Sequence, residues 1–288
     1  MKLDSGAALK ALSVARARQD SKTAELAPGI GLPRLLARVN SAVSTQQRFG
    51  AGLGGEDDLP APTWSGTVPS YLQDNYWWAY VHPRAVWFWD REWLINLILF
   101  GNLARLRDAA LDEIGRSIAG RTLEVACVYG DFSVKLAERI APDSSLDIVD
   151  VLPIQLQNVR RKLPAAAPVT LHHGDSTALG FSDAIFDQVI LFFLLHEQPR
   201  GVREQTIQEA MRVLKPGGKL VFVDYHRPDR WHPLRFLLLE PILRTLEPFS
   251  MDLWNHEISE WLPDNVKPRQ MHQETFCGGL YQKLAFTI

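Results

Sequence analysis

One turn constrains this chain more than any other feature. Leu123-Glu-Val-Ala126 reads as a short buried strand, and Ser133-Val-Lys-Leu-Ala-Glu-Arg-Ile140 as the helix after it, with apolar residues at helical spacing. In an open sheet of alternating strands and helices, the turn between such a pair is where a ligand meets the strand ends. Glycines there let the ligand approach the backbone and lie near the positive end of the following helix. Here only Gly130 remains, and Ala126, Cys127, Val128 and Tyr129 replace the small residues. The frame of a ligand site is kept and its lining is changed.

From Arg121 onward the pattern alternates. Strands are predicted at Leu146-Asp-Ile-Val149, Val169-Thr-Leu-His-His173, Phe186-Asp-Gln-Val-Ile-Leu-Phe-Phe193 and Lys219-Leu-Val-Phe-Val223. Helices are predicted at Gln155 to Leu163 and Gln205 to Val213, with a turn at Lys215-Pro-Gly-Gly218. The alternation implies an α/β fold: a parallel sheet with helices on both faces. Glu274 to Ile288 reads as a terminal β-hairpin around Gly278-Gly279.

The 288 residues suffice for one sizeable domain plus extra segments. A formal net charge of −2 argues against a nucleic-acid partner, which selects a basic face. Two cysteines, Cys127 and Cys277, fit a reducing compartment and give no disulfide framework. No apolar run is long enough to span a bilayer, and the N-terminus lacks the apolar stretch of a secretory signal. These features imply a cytoplasmic location.

Residues 1–68 read as a flexible tail, with Gly50-Ala-Gly-Leu-Gly-Gly-Glu-Asp-Asp58 as a linker. The folded domain is predicted at 69–288. Its first part, 69–118, carries Trp77, Trp78, Trp87, Trp89 and Trp93. The pattern predicts two helices broken near His82-Pro83, forming an aromatic lid.

Three acidic residues fall at or after successive strand ends: Glu124, Asp150 and Asp175. Asp150 lies where a carboxylate accepts from ribose hydroxyls. Asp175 follows the third strand after a glycine, where it is placed to accept from an adenine amino group. Then comes Val213-Leu-Lys-Pro-Gly-Gly-Lys-Leu220. In this order the features resemble a class I S-adenosylmethionine-dependent methyltransferase over about 120–226. The resemblance implies a Rossmann-like, seven-stranded, mostly parallel sheet with the last strand antiparallel.

Leu179-Gly-Phe-Ser-Asp-Ala-Ile-Phe-Asp187 and Arg212-Val-Leu-Lys-Pro-Gly-Gly218 are similar to the ubiquinone and menaquinone methyltransferases. Ala126-Cys-Val-Tyr-Gly-Asp131 and Tyr76-Trp-Trp-Ala-Tyr-Val-His-Pro83 look like the rhodoquinone-biosynthesis family. That resemblance implies conversion of ubiquinone to rhodoquinone, a ring methoxy group being replaced by an amino group. It also implies S-adenosylmethionine as amino donor with manganese assistance. The cofactor residues expected are Tyr76, Tyr80, Glu124, Ala126, Cys127, Val128, Gly130, Asp150, Val151, Asp175, Ser176 and Phe192. Tyr129, His196 and Glu197 are the catalytic candidates, and His82, His196, Asp224 and His226 the metal candidates. A metal there would polarise a quinone carbonyl.

Other readings stay open. Cys127, Val128 and Tyr129 either re-aim the cofactor or only pack. Cys127 as a nucleophile is the weaker reading, since a buried thiol is usually inert. Trp231 to Phe249 is leucine-rich with Trp and Arg flanks, which fits a helix in the inner-membrane interface or a buried core helix. Two rival functions remain: an ordinary methyltransferase acting on a quinone or other lipid-like acceptor, and a non-catalytic cofactor-binding partner in a quinone-biosynthesis assembly.

Overall fold

The computed structural model describes residues 68–80, 83–127, 129–228, 240, 243–244, 247–263, 266 and 268–288. All fall within one unit, Asp58–Ile288. The tail predicted for 1–68, apart from its last residue, lies outside them, as do His82, Val128 and the stretch 229–239.

The described residues begin with α1 (Ser70–Tyr80), α2 (Pro83–Trp89), α3 (Glu92–Ile98) and α4 (Leu103–Ile114). It then alternates β1 (Arg121–Val125), α5 (Phe132–Ala137), β2 (Ser145–Asp150), α6 (Pro153–Lys162), β3 (Val169–His173), β4 (Phe186–Phe192), α7 (Arg200–Val213) and β5 (Leu214–Tyr225). The short α8 (Asp252–Asn255) precedes the hairpin β6 (Gln270–Phe276) and β7 (Tyr281–Thr287). The strand order is β3-β2-β1-β4-β5-β7-β6. Strands β1 to β5 pair in parallel, and β7 runs antiparallel to both β5 and β6.

The order turns back between β1 and β4. Right-handed crossovers on either side of that point put helices on opposite faces, and a crevice opens above the strand ends. The central strands read as apolar runs because both faces are covered. Leu123, Ile148, Val189, Ile190, Val221 and Phe222 are all fully buried.

Two expectations shift. Between Ser70 and Ile98 the chain forms three helices rather than two, because it breaks again at Asp90-Arg91, and α4 is a fourth within 69–118. The Lys215-Pro-Gly-Gly218 turn lies inside β5: pairing jumps from Phe186↔Leu214 to Gln188↔Lys219, so this segment leaves the ladder as a loop. Glycine is required there. Gly217 has φ +82°, and a Cβ on Gly218 would meet Leu214 Cδ1 and the Lys215 carbonyl oxygen at 2.8 Å.

A buried arginine fixes the loop after β4. Arg203 of α7 has no exposed surface. Its Nε donates to the Leu195 carbonyl at 2.8 Å, and its Nη2 to the carbonyls of Gln198 at 2.8 Å and Phe249 at 3.0 Å. Its guanidinium lies 4.7 Å from the Trp261 ring centre. Arg203→Ala leaves three carbonyls without their donor. It should lower stability by roughly 3 kcal/mol or more in urea unfolding, with partial rescue by Arg203→Lys. A loss under about 1 kcal/mol would show that the loop holds itself.

Candidate functional site

Two adjoining pockets open at the carboxyl edge of the sheet. The first, of about 610 Å³, is lined by strand ends and roofed by α1. Asp150 ends β2, Asp175 and Ser176 follow β3, Phe193 and Leu194 follow β4, and Tyr71, Leu72 and Tyr80 face them from α1.

Asp150 is held rigidly. One carboxylate oxygen accepts from the Cys127 amide at 3.0 Å and the other from the Leu152 amide at 2.8 Å. Burial pushes its carboxyl up to about 6 against those stabilising backbone bonds. It is therefore ionised at neutral pH, with lone pairs left to accept from hydroxyls. Asp175 closes a local turn, taking the Thr177 amide and hydroxyl at 2.8 Å each. Gln155 and Gln198 also line it; Gln155 interacts with Tyr129, and Gln198 with Tyr71, Ser176 and Thr206. Carboxylates for hydroxyls and flat apolar walls fit a nucleoside such as that of S-adenosylmethionine.

The altered turn sits beside this pocket. Ala126 has φ +66°, a left-handed conformation that glycine adopts freely and alanine reaches at a cost of about 1 kcal/mol. The Cys127 thiol donates to Asp150 at 3.4 Å. Burial, with Asp150 alongside, holds it well above its usual pKa, so it is no nucleophile. Asp90, from the break between α2 and α3, accepts from the Gly130 amide at 2.9 Å and from Lys162 at 2.8 Å. Lys162 also donates to the Gly130 carbonyl at 2.7 Å. The lid is thereby tied to the turn.

The second pocket, of about 1,260 Å³, is mostly apolar. Trp89, Ile95, Ile98, Leu99, Phe100, Leu103 and Phe192 form its walls. Tyr80, Phe193 and Glu197 belong to both pockets. Phe193, at φ +55°, is the partition between them. Polar groups gather at this junction. His196 Nδ1 donates to Asp224 at 2.9 Å, and its Nε2 lies 3.8 Å from Glu197. The Tyr80 hydroxyl donates to Glu197, and the Tyr129 and Tyr80 rings stack at 5.4 Å.

Burial disfavours a charged His196, but the field and hydrogen bond of Asp224 outweigh it and hold the ring at about 9. Burial pushes Glu197 up to about 8 against the opposing field of His196, and it raises Glu247 as well. At neutral pH the junction therefore presents His196 and Glu197 in their protonated forms, the state needed to donate a proton to a developing oxyanion.

Of the cofactor residues expected, Tyr80, Ala126, Cys127, Asp150, Val151, Asp175 and Ser176 line the first pocket. Tyr76 does not: it is buried with Leu72 and Leu152, and Tyr71 takes the lining position. Glu124 is buried, accepting from Ser133 at 2.7 Å, away from the lining. Gly130 is absent from that lining, engaged with Asp90 and Lys162, and Phe192 lines the second pocket instead. Val128 lies outside the described residues. The catalytic candidates Tyr129, His196 and Glu197 all line the second pocket. Tyr71, Gln155 and Gln198 were not singled out, and no spacing signal marks them.

The metal set does not assemble. His226 donates to the Gly279 carbonyl at 2.8 Å, apart from His196. Asp224 already accepts from the amides of Leu195, His196 and Tyr225 as well as from the imidazole. Among the described residues no three His, Cys, Asp or Glu side chains converge to hold an ion, and His82 lies outside them. The residues present do not fit a bound manganese.

Residues 122–218 match the family model described as a methyltransferase domain. The demethylmenaquinone methyltransferase of Staphylococcus aureus strain JH9 is 28% identical over 178 residues, which is 60% of this chain and 71% of that protein. Among solved structures, Haemonchus contortus phosphoethanolamine N-methyltransferase 2 in complex with S-adenosyl-L-methionine superposes with a TM-score of 0.56 at 15% identity, covering 79% of this chain and 61% of that one. An O-methyltransferase family protein from Burkholderia thailandensis gives 0.51 at 18%, covering 71% and 59%. The fold is that of the class I S-adenosylmethionine-dependent methyltransferases.

Asp150 gives a direct test. Its carboxylate must be ionised to accept from hydroxyls on both oxygens, so S-adenosylmethionine affinity should fall as pH drops through about 6. Asp150→Asn should bind roughly tenfold or more weaker at pH 7.5 and lose that pH dependence in calorimetry. Equal affinity in both proteins would remove Asp150 from the site.

Proposed function

We propose that this protein is a S-adenosylmethionine-dependent transferase acting on the ring of a lipid-like quinone. The observation that carries the reading is the junction of the two pockets. A cleft with carboxylates meets a larger, mostly apolar pocket across Tyr80, Phe193 and Glu197. An aromatic ring with an apolar tail is suited to such walls, while the ionisable groups sit where its oxygens would lie. The S. aureus relative carries a name that also denotes a quinone methyltransferase.

Within that class, the finer reading is conversion of ubiquinone to rhodoquinone. It is supported by the resemblance of Ala126-Cys-Val-Tyr-Gly-Asp131 and Tyr76-Trp-Trp-Ala-Tyr-Val-His-Pro83 to the rhodoquinone-biosynthesis family. It is also supported by the placement of Tyr129, which leaves the first pocket and stacks on Tyr80 at the wall of the second. When bound, S-adenosylmethionine supplies the transferred group. The chain's residues do the rest. Asp150 and Asp175 orient the nucleoside, and the apolar walls exclude water. His196 Nε2 delivers a proton to a ring oxygen or a departing methoxy oxygen, while Asp224 stabilises the charge of the ring it orients.

The test is incubation of the purified protein with S-adenosylmethionine and a short-tailed ubiquinone, with and without added manganese, followed by mass analysis. An amino group in place of a methoxy group is the expected product. Release of S-adenosylhomocysteine with a methylated quinol would make it an ordinary methyltransferase. Failure to bind S-adenosylmethionine would leave only a non-catalytic partner. His196→Ala should lower turnover by roughly a hundredfold or more while leaving cofactor affinity within about twofold, since His196 does not line the cofactor pocket. Wild-type turnover should hold at neutral pH, begin to fall as pH rises through about 8, where Glu197 loses its proton, and fall further through about 9, where His196 loses its own.

A further inference from the structure

Among the described residues, the outer face of α2 and α3 is apolar and uncovered. Trp87 is 68% exposed, Trp93 61%, Leu97 66%, Ile98 44% and Phe100 41%. No residue of α3 is fully buried. Trp93 and Leu97 are four apart, so they share one helical face. The Arg91 guanidinium lies 4.0 Å from the Trp87 ring centre, which leaves a cation beside the aromatic surface. Contiguous exposed apolar patches of this kind mark interaction sites rather than ordinary surface.

What covers the patch is set by what lies behind it. Ile98 and Phe100 are exposed and at the same time line the second pocket, so they stand at its rim. A protein partner or a second copy seated here would shut the pocket. A bilayer seated here would open the pocket into the phase that holds a long-tailed substrate. The side-chain types agree: Trp and Arg settle at the headgroup level, while Leu, Ile and Phe reach the acyl boundary.

We propose that the α2–α3 face docks this protein on a lipid bilayer and that the quinone passes from the bilayer to the second pocket past Ile98 and Phe100. The proposal rests on the quinone reading above for the direction of transfer, but the docking surface is tested independently of it. No helix among the described residues is long and apolar enough to cross a membrane, so the contact is peripheral. It differs in place from the interfacial helix expected within 231–249. Most of that stretch lies outside the described residues, although Leu243 and Glu247 from its end do line the pocket.

The experiment uses the full chain and vesicles of phosphatidylcholine with a minority of phosphatidylglycerol. The variant is Trp87→Ser, Trp93→Ser, Leu97→Ser, none of which lines either pocket. Wild type should float with the vesicles, and the variant's partition should fall roughly tenfold or more. Thermal unfolding and turnover of a short-tailed, water-soluble ubiquinone should match wild type, and turnover of a long-tailed quinone in vesicles should drop. Equal flotation of wild type and variant overturns the proposal, and so does absence of wild-type flotation. Self-association through the patch, seen in sedimentation and lost in the variant, overturns it as well if vesicles are not bound. Absence of turnover with the short-tailed quinone alongside normal flotation would instead overturn the quinone reading and leave the docking surface standing.

Discussion

The carboxylate of Asp224 holds the working end of this molecule together. It lies in the buried end of β5 and accepts from the amides of Leu195 and His196, in the turn after the neighbouring β4, and from Tyr225 of its own strand. The fourth bond goes to the imidazole. A charge this deeply buried is tolerable only when nearly every lone pair is used. The consequence is a rigid turn that starts from a left-handed Phe193 and presents His196 and Glu197 at the wall between two pockets. Arg203 braces the same turn through its carbonyls, so amides and carbonyls of one loop are held by two buried charges of opposite sign.

The ligand turn after β1 is held in a different manner. A glycine-rich turn leaves its amides free for a ligand; here Asp90 of the lid takes the Gly130 amide, and Lys162 bridges Asp90 to the Gly130 carbonyl. The lid is therefore bonded directly to the turn after β1. Movement of α2 and α3 would pull on the turn, because Ile95 of α3 also lies within contact distance of where a side chain at Gly130 would point.

The sheet was readable because its strands are fully buried and reveal themselves as apolar runs ended by acidic or glycine residues. β3 falls where the pattern put it, and β1, β2 and β4 end within a residue of prediction. The hairpin is longer than predicted at its start: β6 begins at Gln270, a strand exposed until Phe276, where no apolar alternation marks it. The lid was misread because its second break, at Asp90-Arg91, carries neither proline nor glycine. Asp150 and Asp175 were legible from spacing alone, since strand ends fix them. Tyr71 and Tyr76 were not separable, because the rotation of α1 against the sheet decides which ring faces the pocket. Gln155 and Gln198 carry no sequence signal for a related reason: the fold alone brings them to the lining of the first pocket. The proposed metal set failed on the same kind of fact, as Asp224 and His226 spend their bonds on the backbone.

Glu197 touches both pockets, and that position limits what chemistry the junction can host. Were it ionised, its charge would lie beside the charged His196 and quench the imidazolium as a donor; burial instead pushes it up to about 8, into the range where it stays protonated at neutral pH. Glu247 is pushed up by burial as well, and its field raises Glu197 further. Asp224, with four donors around it, holds the imidazole from behind, and the polar groups that face the second pocket at this junction include His196, Glu197 and Tyr80. Such an arrangement stabilises negative charge that builds on an oxygen in the apolar pocket. It offers little to a substrate that must first lose a proton to a strong base. Within the proposed reading this suits attack on a quinone ring, whose oxygens gain charge as the new bond forms.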